Sequence, residues 1–383
     1  MFMRYTSPNE TRTISREDLG FYNALIIGGV YEIENEKVDV RSPRSFIPPL
    51  KKCILDEPYL SVVVRNPHTE KPSFEGVSSI NLENHISIVH SSEASQDSDN
   101  TAIEKALQPI LDRQWPANIP PWRIVVIPLA SSDSQVVRCF IAFSMSHAIG
   151  DGMCGIAFHR SFLKAWKNTA VEETESFVLD IPNRSLPEPF DTPERLPISW
   201  KFLLGPLIAV LLPKILVNLF GLSATTSTIT PGTWTGTRMF HDSNFTSSSR
   251  VCLLEIEAPL VKAALQASRA HSAKLTATIH QLIVNALSTA LPNPEITNFV
   301  AGTAIDMRRS VGIPSLTWGL HVSGHYETYP RPSPTEHEKP TISPSEWTHA
   351  SKVTKNLAEC STRLQDQAIG LLRYAPSIRK WTA

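Results

Sequence analysis

Residues 136–168 can be read in one order: strand, glycine-pinched corner, helix. Val136-Val-Arg-Cys-Phe-Ile-Ala-Phe-Ser-Met145 is rich in the β-branched and aromatic side chains that suit a pleated, packed surface. Met153-Cys-Gly-Ile-Ala-Phe-His-Arg-Ser-Phe-Leu-Lys-Ala-Trp166 instead spaces Ile156, Phe158, Phe162 and Trp166 at helical intervals. Between them lies Ser146-His-Ala-Ile-Gly-Asp-Gly152, a corner too rich in glycine to continue either element. His147 therefore stands where a side chain can face a cleft while its backbone is held from both sides.

Residue chemistry leaves two readings of His147 open. A histidine at the end of an apolar strand can be a hydrogen-bonded core residue, since histidine is intermediate in burial. It can also be a functional imidazole. A zinc site is not expected: no second histidine or cysteine has ligand spacing, and the glycines break the helix that His147 and Asp151 would need to share. Ser144 and Ser146 are not set in a Gly-x-Ser-x-Gly elbow, so a serine nucleophile is not expected either.

The stretch His147-Ala-Ile-Gly-Asp151-Gly152 resembles the His-x-x-x-Asp-Gly motif of the CoA-dependent acyltransferase superfamily, which holds chloramphenicol acetyltransferases, plant BAHD acyltransferases, condensation domains and fungal alcohol acetyltransferases. Other segments follow in the order of the fungal alcohol acetyltransferase branch. Leu19–Tyr31 resembles its first strand, Pro120–Leu129 the strand before the motif strand, Leu275–Leu287 a helix of the second domain, and Asp306-Met-Arg-Arg309 its Asp-x-Arg strand end. The resemblance implies an α/β fold of two chloramphenicol-acetyltransferase-like domains, each a two-layer sandwich, around a central tunnel. It implies that His147 is the general base of an O-acyltransferase, with acetyl-CoA as co-substrate and a hydroxyl of a hydrophobic small molecule of secondary metabolism as acceptor. It implies further that Asp151 turns away to pair with Arg308 (Arg309 being the alternative), so that Asp151, Gly152 and Arg308 are structural. Gly152 is expected to let the turn close. The helix that starts after it should disfavour imidazolium.

The chain departs from the family pattern in two places. Ser146 stands where many relatives carry a second histidine. The helix-like Ser345–Leu357 is followed by no Asp-Phe-Gly-Trp-Gly element, so the second domain is expected to be incomplete. Two alternatives stay beside the acyltransferase reading on that account: an inactive, truncated acyltransferase-like protein, and a condensation-type domain that forms amides.

At 383 residues, two domains are expected, residues 1–185 and 236–383, joined by a crossover over 186–235. A formal net charge of −1 with no basic run argues against nucleic acid as a partner. The ligands of the CoA phosphates cannot be named from the residues. Five scattered cysteines point to free thiols in a reducing compartment. No leader is read before the Asn-x-Ser/Thr triplets at Asn9, Asn183 and Asn244, which are therefore expected to be chance matches. Strands are expected over 25–31, 58–65, 123–129, 136–146, 250–257 and 298–305, and helices over 101–113, 153–168, 259–270 and 276–290. Proline-rich 183–197 and 329–344 and polar 91–100 read as connections.

The apolar stretch 202–220 approaches the length of a bilayer span. Pro206, Pro213, Lys214 and Asn218 argue against a spanning helix, leaving a buried helical pair or an interfacial helix. The protein is expected to be a cytoplasmic monomer, with peripheral contact to an intracellular membrane or lipid droplet through 202–220.

Overall fold

A computed structural model describes residues 1–33, 38–89, 98–131, 133, 135–168, 176–211, 229–236, 249–332 and 341–382. Its strands are β1 (Phe2–Tyr5), β2 (Leu25–Ile33), β3 (Val62–Arg65), β4 (Ser73–Gly76), β5 (Ser79–Asn81), β6 (Ile86–Ile88), β7 (Trp122–Leu129), β8 (Val137–Met145), β9 (Val178–Asp180), β10 (Asn298–Asp306) and β11 (Val322–Pro330). Its α-helices are α1 (Pro8–Asp18), α2 (Ile47–Asp56), α3 (Asp99–Leu111), α4 (Gly152–Asn168), α5 (Trp200–Leu211), α6 (Ala258–Ala270), α7 (Leu275–Ala290), α8 (Pro344–Thr362) and α9 (Ile378–Thr382).

The predicted strand–corner–helix is the centre of this α/β fold. β8 lies inside a four-stranded sheet of order β2-β8-β7-β6, antiparallel to both β2 and β7, while β6 and β7 run parallel. Both faces of that sheet are covered, which is why β7 and β8 read as nearly continuous apolar runs rather than alternations. Cys139, Ile141, Phe143 and Met145 of β8 face the larger core, shared with Trp122, Ile124 and Val126 of β7, Leu50 and Ile54 of α2, and Phe158 and Phe162 of α4. Phe140 and Ala142 face the other way, with Val125 and Ile127, onto Ile103, Leu107 and Ile110 of α3. Helix α4 comes so close to β2 at Gly155 that a Cβ there would stand 2.2 Å from Ile27. That contact sets the height at which the corner before α4 sits above the sheet.

Beyond this core, β1-β4-β3 form a small antiparallel sheet and β5 pairs with β9. In the second half, β10 and β11 pair antiparallel over nine residues each. Phe299 and Tyr329 pack there with Ala277 and Val284 of α7 and Ala350 and Val353 of α8. Phe190 and Leu196, from the irregular 181–199 stretch, pack with Ile305, Met307 and Ile369. All five cysteines are free, and four are buried.

Most expected elements are present, with bounds moved by a few residues. Residues 250–257 are a correction: they form no strand. Carboxylates of the α3 segment take donors there that a ladder would use, Ser249 N donating to Asp112 Oδ2 (2.7 Å) and Leu253 N to Glu104 Oε1 (2.5 Å). Of the expected 58–65 strand, residues 58–61 are a 3₁₀ turn and only 62–65 enter a sheet. Residues 202–211 of the apolar stretch lie in α5, which continues through Pro206, whereas 212–220 lie outside the described residues. Among the described residues no helix is long and apolar enough to cross a membrane.

Phe143 is fully buried and stacked on Phe158, with ring centroids 3.9 Å apart. Phe143→Ala is expected to destabilise the protein by about 3–5 kcal/mol, seen as a lower urea midpoint at unchanged slope.

Candidate functional site

The site is built on the corner between β8 and α4. Ser146 N donates to Pro121 O at 2.8 Å, continuing the β7–β8 pairing one step past the strands and fixing where the turn leaves the sheet. His147 follows, part-exposed, and its Nδ1 lies 2.9 Å from the carbonyl oxygen of Gly150. A carbonyl can only accept, so Nδ1 carries the proton and Nε2 of the neutral ring is left with a free lone pair. The ring of Tyr22 stands 5.9 Å from the imidazole, centroid to centroid.

Burial lowers the His147 pKa from its ordinary value. Its own carbonyl, the Gly150 carbonyl and Asp151 act in the opposite direction, and the charge of Arg12 adds to the lowering. The neutral ring is thus favoured chiefly by loss of water.

Asp151, four residues on, points elsewhere. Its Oδ1 accepts from Met153 N at 3.0 Å and so caps the first turn of α4. The same oxygen accepts from Arg308 Nη2 at 2.9 Å, and Oδ2 accepts from His321 N at 3.0 Å. Arg308 is fully buried, and its other donors are also used. Nε donates to Thr317 O (2.8 Å), Nη1 to Asp306 Oδ1 (3.0 Å), and Nη2 also to Gly319 O (3.1 Å). Burial alone would lower the Arg308 pKa, but hydrogen bonding and charge attraction from Asp151 raise it overall, with help from Cys154 and Asp306. Arg309, the other candidate, is exposed.

The structure therefore brings Asp151 and Arg308 together and keeps His147 apart from both. A Cβ at Gly152 would meet no atom within 4 Å, while a Cβ at Gly150 would lie 2.8 Å from Cys154 Sγ. Within the turn, it is Gly150 that packs closely on the start of α4. Sequence reasoning also passed over Glu17, whose Oε2 accepts from Ser146 Oγ at 2.5 Å. Helix α1 carries it, and that helix shows no apolar stripe to find it by. Among the described residues, no group of three or more histidine, cysteine, aspartate or glutamate side chains is arranged to hold a metal ion.

A family model described as alcohol acetyltransferase matches residues 57–312. Among solved structures, the chain is similar to the TRI3 trichothecene 15-O-acetyltransferase of Fusarium sporotrichioides, at 13% identity and a TM-score of 0.66, over 99% of this chain and 75% of that one. It is similar to the first condensation domain of the calcium-dependent antibiotic synthetase in complex with a substrate analogue, at 9% identity and a TM-score of 0.59, over 98% and 78%. A third is TRI101 of F. graminearum complexed with ethyl coenzyme A, at 12% identity and a TM-score of 0.54, over 99% and 79%. At these identities the likeness establishes the fold, and the fold is the acyltransferase and condensation-domain one anticipated from the sequence. A search of curated proteins finds no match.

The buried pair yields a stability prediction. Arg308→Met or Asp151→Ala alone should cost about 3–5 kcal/mol, because each leaves a buried charge uncompensated. The Asp151→Leu, Arg308→Met double variant should cost less than the sum of the singles, as measured by chemical denaturation.

Proposed function

The chain belongs to the alcohol acetyltransferase family, and from that premise we propose that it is a CoA-dependent O-acyltransferase with His147 as general base. The acyl group is acetyl and the acceptor is a hydroxyl on a hydrophobic small molecule. The observation that carries this reading is the Nδ1 contact with the Gly150 carbonyl, which commits the neutral ring to present Nε2 as a base. TRI101 was captured with ethyl coenzyme A, which supports acyl-CoA as the donor.

The acceptor hydroxyl gives its proton to His147 Nε2 as its oxygen bonds to the thioester carbonyl carbon. The tetrahedral adduct collapses with cleavage of the carbon–sulfur bond, and the departing sulfur takes the proton back from the imidazolium. Products are the ester and free CoA thiol, with no acyl-enzyme. Asp151 and Arg308 touch none of the reacting atoms in this scheme. They hold the turn and the start of α4 against the loop that follows β10.

The experiment is transfer from radiolabelled acetyl-CoA to panels of alcohols and amines. Labelled esters support the proposal. Labelled amides would favour the condensation-type alternative, and no product with any acceptor would favour an inert acyltransferase-like protein. His147→Ala is expected to lose transfer by about 10²–10⁴-fold with an unchanged melting temperature. A matched loss of stability would show that the residue is structural. Because burial places the His147 pKa below the ordinary 6.5, the rate should fall at acidic pH, where the base becomes protonated.

We also propose peripheral membrane contact through α5, which turns Trp200, Leu204 and Ile208 outward at one-turn spacing. Co-sedimentation with phosphatidylcholine vesicles should be reduced by Trp200→Ser with Leu204→Ser. Equal sedimentation of both proteins, or of neither, would refute the contact.

A further inference from the structure

We infer that Glu17 is a positioning residue for His147: through Ser146 it holds the turn that carries the imidazole, and it sets a second ionisable group beside the base. The inference rests on the reading of His147 as the base and extends it to a residue of another element.

Ser146 is fully buried and anchored on three sides. Its N–H goes to Pro121 O (2.8 Å), its hydroxyl donates to Glu17 Oε2 (2.5 Å), and the same hydroxyl oxygen accepts from Ala148 N (3.1 Å). The residues on either side of His147 are therefore tied to one carboxyl group. That carboxyl is oddly placed for a helix. Glu17 and Asp18 occupy the last turn of α1, where the helix dipole disfavours negative charge. Glu17 also lines a cavity of about 270 Å³ with Ile14, Val63, Trp115 and Pro121.

Burial pushes the Glu17 carboxyl up to about 8, against the Ser146 hydrogen bond, which lowers it, and with Asp18, which raises it. Around it stand Asp18, which pairs with Arg379 of α9, and Tyr22, which also feels the charges of Arg12 and Arg16 of α1; His147 is the residue that follows its partner Ser146. At neutral pH Glu17 is thus largely uncharged. As it ionises, its charge favours the imidazolium that forms on His147 during proton transfer. The rate should rise in two steps, first with loss of the His147 proton below 6.5 and again near pH 8.

Two readouts test this on the full chain, comparing wild type with Glu17→Gln and Ser146→Ala. In NMR titrations without substrate, the His147 ring resonances should move once at acidic pH and again near pH 8. Glu17→Gln should lose the second movement. Ser146→Ala should shift it to higher pH, because the carboxylate has lost its donor. In acetyl transfer, wild type should exceed Glu17→Gln by roughly three- to tenfold above the second step and match it more closely at pH 7. The inference is overturned if wild type lacks the second movement, if Glu17→Gln keeps it, or if the two rate profiles superimpose. Should Glu17→Gln fail to fold, the direction of the shift in Ser146→Ala decides. Should wild type transfer no acyl group, the proposed function fails, while the ring titration still decides the link between Glu17 and His147.

Discussion

Two opposite charges removed from water, Asp151 and Arg308, join parts of the chain 157 residues apart. Burying such a pair is unfavourable unless the remaining lone pairs and protons are also satisfied. Here they are: the carboxylate takes two backbone N–H groups as well as the guanidinium, and the guanidinium takes two carbonyls and a second carboxylate. This closure specifies how the β8–α4 corner meets the loop between β10 and β11. It also engages both oxygens of Asp151, and neither of them bonds His147.

That separation defines the chemistry of the site. A histidine oriented by a carboxylate would carry a partner that stabilises its charged form. His147 is oriented instead by a neutral carbonyl, three residues on and in the same turn. Burial then lowers its pKa, which favours the uncharged ring. The sheet beneath supplies rigidity, since β8 is packed on both faces and paired on both edges. An ionisable group tied directly to the histidine's neighbour is Glu17, which arrives from α1.

What could be read in advance follows from where apolar periodicity was present. The cores of β2, β7, β8, β10, α4, α6 and α7 all carry it, and their places in the sequence were visible. Helix α1 was not, because the face it buries is polar: Asn9, Glu10, Thr11, Thr13 and Ser15. Its one legible mark was the Ser7-Pro-Asn-Glu10 capping box, where Ser7 accepts from Glu10 N and Glu10 reaches back to Ser7 N. Residues 250–257 failed in the opposite sense, carrying strand-like residues but giving donors to side-chain carboxylates. At the turn, the sequence singled out Gly152, and only the tertiary position of Cys154 shows how closely Gly150 packs on α4.

By itself, the amino-acid order determined local matters: a strand that must stop by Ser146, a helix that must start after Asp151, and a histidine between them. Those outcomes depend on propensity, periodicity and glycine content within some thirty residues. Only the tertiary structure decided which side chains share a hydrogen bond across the chain. Arg308 rather than exposed Arg309 meets Asp151, and Glu17 meets Ser146. Such pairings depend on the sheet and helices arriving at one place in three dimensions, where burial makes each unpaired polar group costly and so selects the partner.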